Sequence, residues 1–323
     1  MYQPKSVLIT GVAGFIPSNL ACHLVNKYPD VLFVGIDKMS YCSDKRNIEE
    51  IMTMPNFTFI EANICDKDKM EELWVKYLFD TVIHMAAYSH VDYSFVQPLK
   101  FTINNTLGTH VLLEVARAKG IKRFIHVSTD EVYGSQGKLN TEQSKIQPTN
   151  PYSASKAAAE VMVNTYMTCY NFPAIITRGN NVYGPKQYPE KVIPRFILRT
   201  LKGQKCQIQG SGNQARSFLY TDDVSNAFDL IVHYGQLGQI YNIGTEEEYT
   251  INQLATKIVE KLGAEIEHVP DRIFNDTGYR IDYSKLAALG WKQTISLDDG
   301  LDLTIAWYQK HADWYCGSAH ESL

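Results

Sequence analysis

No C-x-x-C pair occurs among the six cysteines, at positions 22, 42, 65, 169, 206 and 316. That argues against a disulfide scaffold and against a cysteine-based zinc site, and we expect reduced thiols, a cytoplasmic setting and no metal. No uninterrupted apolar run approaches the ~18 residues of a membrane span. Basic blocks and acidic tails are also missing; the net charge is −4. Nucleic acid is therefore not an expected partner. Internal repeats and low-complexity tracts are lacking as well, and a strand-like run begins within a few residues of Met1, which leaves no room for a signal peptide.

What is present is a chain of 323 residues, 45% hydrophobic, enough for one large or two unequal cored domains. The segments SVLIT (6–10), LFVGID (32–37), FTFIEA (57–62), DTVIHMAA (80–87), KRFIHVST (122–129) and AIITRG (174–179) are short apolar runs without polar alternation. Such runs read as parallel strands covered on both faces. Helical stretches separate them, most clearly 104–120, where Leu107, Val111 and Val115 recur at helical spacing and Gly120 is a stop. The alternation predicts a doubly wound parallel α/β sheet. After about residue 180 the texture becomes proline-rich and aromatic. Residues 218–234 read as a return to the sheet domain, and 249–263 and 296–311 as amphipathic helices, the second capped by Ser296. The resulting division is 1–179 with 217–240 as a cofactor-binding domain, and 180–216 with 241–323 as a smaller, discontinuous α/β substrate domain.

The stretch TGVAGFIPSNL (10–20) follows the first strand. Gly11 permits a tight turn, Gly14 a close backbone approach to a pyrophosphate, and the helix start offers unpaired N–H groups. Proline stands at position 17, where a third glycine is usual. In the first helical turn its missing N–H has no intrahelical partner, so it need not abolish a site. Taken alone, the motif is equally a structural turn. Asp37, at the end of the second strand and roughly 20 residues on, tips the balance toward a dinucleotide, because its carboxylate can accept from ribose hydroxyls. It would also repel a 2′-phosphate, which favours NAD over NADP, although Lys38 weakens that preference.

Two further stretches carry chemistry. In NPYSASKAAAE (150–160), Asn150 and Pro151 start a helix that places Tyr152 and Lys156 on one face. A neighbouring ammonium favours phenolate, so the pair suits proton removal from an alcohol during hydride transfer. In STDEVYG (128–134), Thr129 can bond a substrate oxygen, and the adjacent Asp130 and Glu131 suit one acid and one base. From spacing alone a solvated acidic turn fits those carboxyls equally well.

Together these motifs resemble extended short-chain dehydrogenases/reductases with a Rossmann domain, and within them the nucleotide-sugar 4,6-dehydratases acting on UDP-glucose or dTDP-glucose. The resemblance runs from about residue 5 to 310. IDKMSYCSDKRN (36–47), AAYSHVDYSF (86–95), TRGNNVYGPKQYPEKVIP (177–194) and YNIGT (241–245) also carry it. The wording of 177–194 and RIFND (272–276) is most similar to the dehydratase part of plant rhamnose synthases, which leans toward UDP-glucose. The resemblance implies Thr129, Asp130, Glu131, Tyr152 and Lys156 as catalytic residues. It implies a retained NAD on Gly11, Gly14, Phe15, Ile16, Asp37, Asn63, Ile64, Ala86, Ala87, Tyr152 and Lys156. For the nucleotide sugar it implies His90 (without a proton-transfer role), Asn181, Lys191, Arg216, Arg272 and Asn275. It also implies a homodimer through helices about 99–119 and 152–170.

The sequence departs from the family pattern at Pro17, at Ala62-Asn63 where Gly-Asp is usual, and at Gly278, where an arginine commonly precedes Tyr279; Arg280 stands two places on. A 4-epimerase or decarboxylase on the same fold shares Tyr152 and Lys156 but does not need the Asp130–Glu131 pair. A non-catalytic NAD-binding sensor would often have lost Tyr152 and Lys156.

Overall fold

The computed structural model describes residues 1–315 except 136, 272–274 and 277. Six strands follow one another as β1 (Ser6–Thr10), β2 (Leu32–Asp37), β3 (Phe57–Glu61), β4 (Thr81–His84), β5 (Arg123–Val127) and β6 (Ala174–Gly179). With the strand Ile240–Ile243 they form one parallel sheet in the order Ile240–Ile243, β6, β5, β4, β1, β2, β3. β1 and β4 are neighbours in register Val7–Thr81 to Thr10–His84. The strand order reverses between them, and the crevice at their carboxyl ends is where such sheets bind ligands. One face of the sheet is covered by the helix Phe15–Lys27 and by Thr221–Tyr234, through residues such as Leu20, Leu24, Val224 and Phe228. The other is covered by Lys67–Tyr77, Gly108–Ala118 and Pro151–Tyr170, through Leu73, Leu112 and Val163. Burial on both sides explains why these strands lack polar alternation.

A smaller lobe has its own core of Tyr183, Ile193, Phe196, Ile208, Leu254, Leu301 and Tyr308. It contains a parallel pair, Cys206–Gln209 with Ile266–Val269, and an antiparallel pair, Ala215–Arg216 with Tyr249–Thr250. Its helices are Val192–Leu201, Ile251–Leu262 and Leu297–His311, the last with Ser296 accepting from the Asp299 N–H as its cap. The strand Ile240–Ile243 pairs with β6, and Leu286 and Trp291 pack on the large core. Those segments belong with the sheet, whereas the division drawn from sequence puts everything after 240 in the smaller lobe.

The helix read at 104–120 begins as one π-helical turn over Thr102–Leu107 and becomes α-helical at Gly108. The turn holds two buried asparagines. Asn105 pins the loop after β4, accepting from the Tyr88 N–H at 2.8 Å and donating to the Tyr88 carbonyl at 3.0 Å. Among the described residues no helix is long and apolar enough to cross a membrane.

Candidate active site

The crevice opens into a cavity of about 430 Å³ shared by both lobes. β1 delivers Gly11 at φ +74°, a conformation that favours glycine. A Cβ there would stand 2.8 Å from the Ala86 Cα. The helix from Phe15 has Gly14 at its N-cap with no side-chain cap, so its first N–H groups are left to whatever occupies the cavity. Pro17 is the third helical residue, in the turn that needs no N–H. At the end of β2 the buried Asp37 accepts from the N–H groups of Ala13 (3.1 Å) and Met39 (2.8 Å) and from the Ser43 hydroxyl (2.9 Å). Burial pushes its carboxyl above the usual range, and the three donors oppose that. Lys38 turns aside, donating to Asn104 at 2.5 Å and lying 4.2 Å from the Tyr88 ring centroid. A bare helix start, a glycine cradle and a buried carboxylate, whose neighbouring Lys38 is engaged by Asn104, fit a dinucleotide that carries free ribose hydroxyls.

The candidate reacting side chains follow the end of β5 and open the helix Pro151–Tyr170. Asn150 starts that helix: its side-chain oxygen accepts from the Ser153 N–H at 2.8 Å, and the Ser153 hydroxyl accepts from the Asn150 N–H. The same amide donates to Glu131 at 3.0 Å. Lys156 is buried and donates to the Val127 carbonyl at 2.6 Å. Burial lowers its ammonium to about 8, against the pull of Glu160 one turn on. Glu160 is itself held by the buried Arg178. Burial and Lys156 keep His84 neutral, at about 3.

Asp130 is buried and accepts from Asn180 at 2.7 Å and from the Thr129 hydroxyl at 3.2 Å. Burial, then the charge of Glu131, raises it to about 7, against those two donors and the charge of Arg216. Glu131 is raised too, by burial, with Asn150, Lys191 and Arg216 opposing. A solvated acidic turn does not fit: Asp130 is buried, Glu131 is half-buried, and both carboxyls line the cavity. The phenol corrects a simpler expectation. With the protein's own groups, burial and the charge of Glu131 drive Tyr152 well above its ordinary value, and the Thr129 hydrogen bond only partly offsets them. Proximity to Lys156 does not by itself make a phenolate.

Of the residues singled out in the sequence, the cavity brings together Gly11, Gly14, Phe15, Ile16, Asp37, Ile64, Ala86, Ala87, His90, Thr129, Asp130, Glu131, Tyr152, Lys156, Asn181, Lys191 and Arg216. Lys191 donates to the Ser89 carbonyl at 2.7 Å. Arg216 donates to the Ala215 and Asp276 carbonyls at 2.7 and 2.8 Å. Two residues stand apart. Asn63 is exposed and its side-chain oxygen is taken by the Cys65 N–H, and Asn275 donates to Asp271 at 2.6 Å away from the cavity lining. Arg272 lies outside the described residues. Arg280 pairs with Glu248 at 3.2 Å and does not line the cavity, so it does not stand in for the arginine missing at Gly278.

Sequence reading missed Asn180, which donates to Asp130 and to the Tyr279 carbonyl and lies beside the Asn181 it singled out. It also missed Glu190, Asp276 and Tyr279, which line the same cavity. The position of Asn180 directly after β6 was the available signal.

Comparison with known proteins agrees with this geometry. The family model for GDP-mannose 4,6 dehydratase matches residues 8–304. A trifunctional UDP-glucose 4,6-dehydratase/UDP-4-keto-6-deoxy-D-glucose 3,5-epimerase/UDP-4-keto-L-rhamnose-reductase of Arabidopsis thaliana is 46% identical over 97% of this chain and 48% of its own length. The chain thus spans about half the length of these plant relatives. The dTDP-D-glucose 4,6-dehydratase of Homo sapiens is 44% identical over 95% of this chain and 91% of its own. The crystal structure of a dTDP-glucose 4,6-dehydratase from Streptomyces venezuelae with NAD bound superposes with a TM-score of 0.92, at 36% identity, over 96% of this chain and 98% of that one. With its uncapped glycine turn, its Tyr–Lys helix and its adjacent carboxyls on one cavity, this chain belongs to the GDP-mannose 4,6 dehydratase family of extended short-chain dehydrogenases/reductases.

Proposed function

We propose that the protein is an NAD-dependent nucleotide-sugar 4,6-dehydratase that converts UDP-glucose to UDP-4-keto-6-deoxy-glucose, an early step toward a 6-deoxy sugar such as rhamnose. The observation that carries this reading is the convergence of Tyr152, Thr129, Asp130 and Glu131 on one cavity, with Asp130 raised to about 7. An enzyme that only oxidises and reduces C4 has no use for a carboxylic acid that stays half-protonated at neutral pH.

Gly11, Gly14 and the start of the Phe15–Lys27 helix would hold the pyrophosphate of NAD, and Asp37 a ribose. When bound, NAD supplies a hydride acceptor, a positive charge that offsets the burial of the phenol, and the hydride that later reaches C6. Tyr152 takes the C4 hydroxyl proton, with the Thr129 hydroxyl on the same oxygen and the Lys156 ammonium favouring phenolate. The C4 ketone acidifies C5–H. Glu131 removes that proton, Asp130 gives its own to the departing C6 hydroxyl, and one water leaves; when hydride reaches C6, Glu131 returns its proton to C5. Arg216 and Lys191 supply positive charge for the diphosphate.

The preference for UDP rests on the wording of 177–194 and on the Arabidopsis relatives. A second reading, dTDP-glucose, is supported by the human relative, which this chain matches over nearly its whole length. Incubating the protein and NAD with each sugar nucleotide tests both. The expected product is lighter by one water and forms faster from UDP-glucose. Unchanged mass would mean epimerisation, and no turnover of either sugar would overturn the proposal.

A further inference from the structure

We propose that Glu190 is a positioning residue, latching the smaller lobe across the cofactor cavity through Tyr41 and His90, and that this latch sets how long the cofactor stays bound. The inference rests on the NAD-dependent reading above.

Glu190 sits just before the helix Val192–Leu201, in the smaller lobe. Its carboxylate is 2% exposed, yet it lines the shared cavity. A carboxylate so buried needs partners: the Lys191 ammonium of its own lobe lies 3.9 Å away, and its nearer partners come from the other lobe. The Tyr41 hydroxyl donates to it at 2.7 Å. The His90 Nδ1 lies 3.6 Å away. Tyr41 belongs to the loop after β2, which also supplies Ser43 to Asp37. His90 belongs to the loop after β4, which includes Ala86 and Ala87. One carboxylate therefore ties down both loops that border the dinucleotide groove.

Neighbouring contacts reinforce the tie. The Tyr41 ring meets Tyr188 edge-on at 5.6 Å, and Lys191 donates to the Ser89 carbonyl at 2.7 Å. Met39, in the Tyr41 loop, holds φ +56°, a conformation a non-glycine residue keeps only when its surroundings impose it. The proposed reaction gives this latch a task. Between the first and last steps the reduced cofactor must not leave, because its hydride has to return to the same sugar.

The test uses Tyr41→Phe, which removes the hydroxyl and keeps the ring on Tyr188, with Glu190→Gln and the double variant. The protein is loaded with radiolabelled NAD and chased with unlabelled NAD. We expect Tyr41→Phe to release label about tenfold faster, the scale of losing one hydrogen bond to a charged group. The double variant should release it more slowly than the product of the two single effects, because both changes break one contact. An unchanged off-rate in Tyr41→Phe, or single effects that simply multiply, would overturn the latch. So would a fall in Tm without faster release, which marks a purely structural contact. A wild-type protein that never retains NAD would instead sink the functional reading, and the latch with it.

Discussion

At Tyr152 and the nearby carboxyls, the proposed mechanism gives each side chain a separable task. Tyr152→Phe should abolish oxidation at C4, so that mixing with sugar nucleotide gives no NADH absorbance. Glu131→Gln should let that absorbance rise and then stall, with no dehydrated product. Full dehydration by the Glu131 variant would remove it as the C5 base. Asp130 gives a pH prediction. As an acid raised to about 7, it should make elimination fall off as pH climbs above that value. The same shift acts on stability. A carboxyl raised in the folded state favours folding fully only below its unfolded value near roughly 4, and that contribution is lost as pH rises through about 7. Asp130→Asn should therefore be inactive yet raise Tm at pH 8 by on the order of 2–4 °C. The gap should close below pH 4.

The helix Pro151–Tyr170 offers a cleaner experiment than deletion of its cap. Asn150→Asp keeps an oxygen for the Ser153 N–H but turns a donor to Glu131 into a like charge. The cap itself should survive, because Asn and Asp cap about equally, so stability should match the wild type at acid pH and fall as pH rises and the two facing carboxyls ionise. Elimination should slow by an order of magnitude or more, read as accumulating NADH during turnover. Elements of this kind were largely legible in the sequence. SVLIT, LFVGID and AIITRG match their strands residue for residue, because runs buried on both faces have sharp polar ends. The π-helical turn was not legible. Its extra residue leaves the spacing of Leu107, Val111 and Val115 intact, and only the tertiary bonds of Asn104 and Asn105 show why it is there. Asn180 was missed although its place directly after β6 was a signal, because the resemblance drew attention to the adjacent Asn181 and only the fold shows which of the two turns to Asp130. Asn63 shows the reverse error, since an amide that fits a ligand fits its own backbone as well.

On the whole molecule, the helices at 98–118 and 151–170 present Leu99, Ile103 and Leu107, spaced four apart, and Val161, all at least 49% exposed. We propose this face as the dimer contact. Leu107→Glu should convert a dimer to a monomer in light scattering, while a wild-type monomer at micromolar concentration would end the idea. The cavity draws its walls from both lobes: Thr129, Asp130, Glu131, Tyr152 and Lys156 come from the large one, and Glu190, Lys191 and Arg216 from the smaller. Within the large lobe, Asn150 joins the start of the Tyr152 helix to Glu131, so on the proposed mechanism redox and elimination share one anchor. A shift of the helix start that carries Tyr152 outward drags the second base with it, so neither half can be retuned alone. Natural drift at that position is penalised twice, and variants that loosen it should surface as mixed defects rather than clean blocks at one stage.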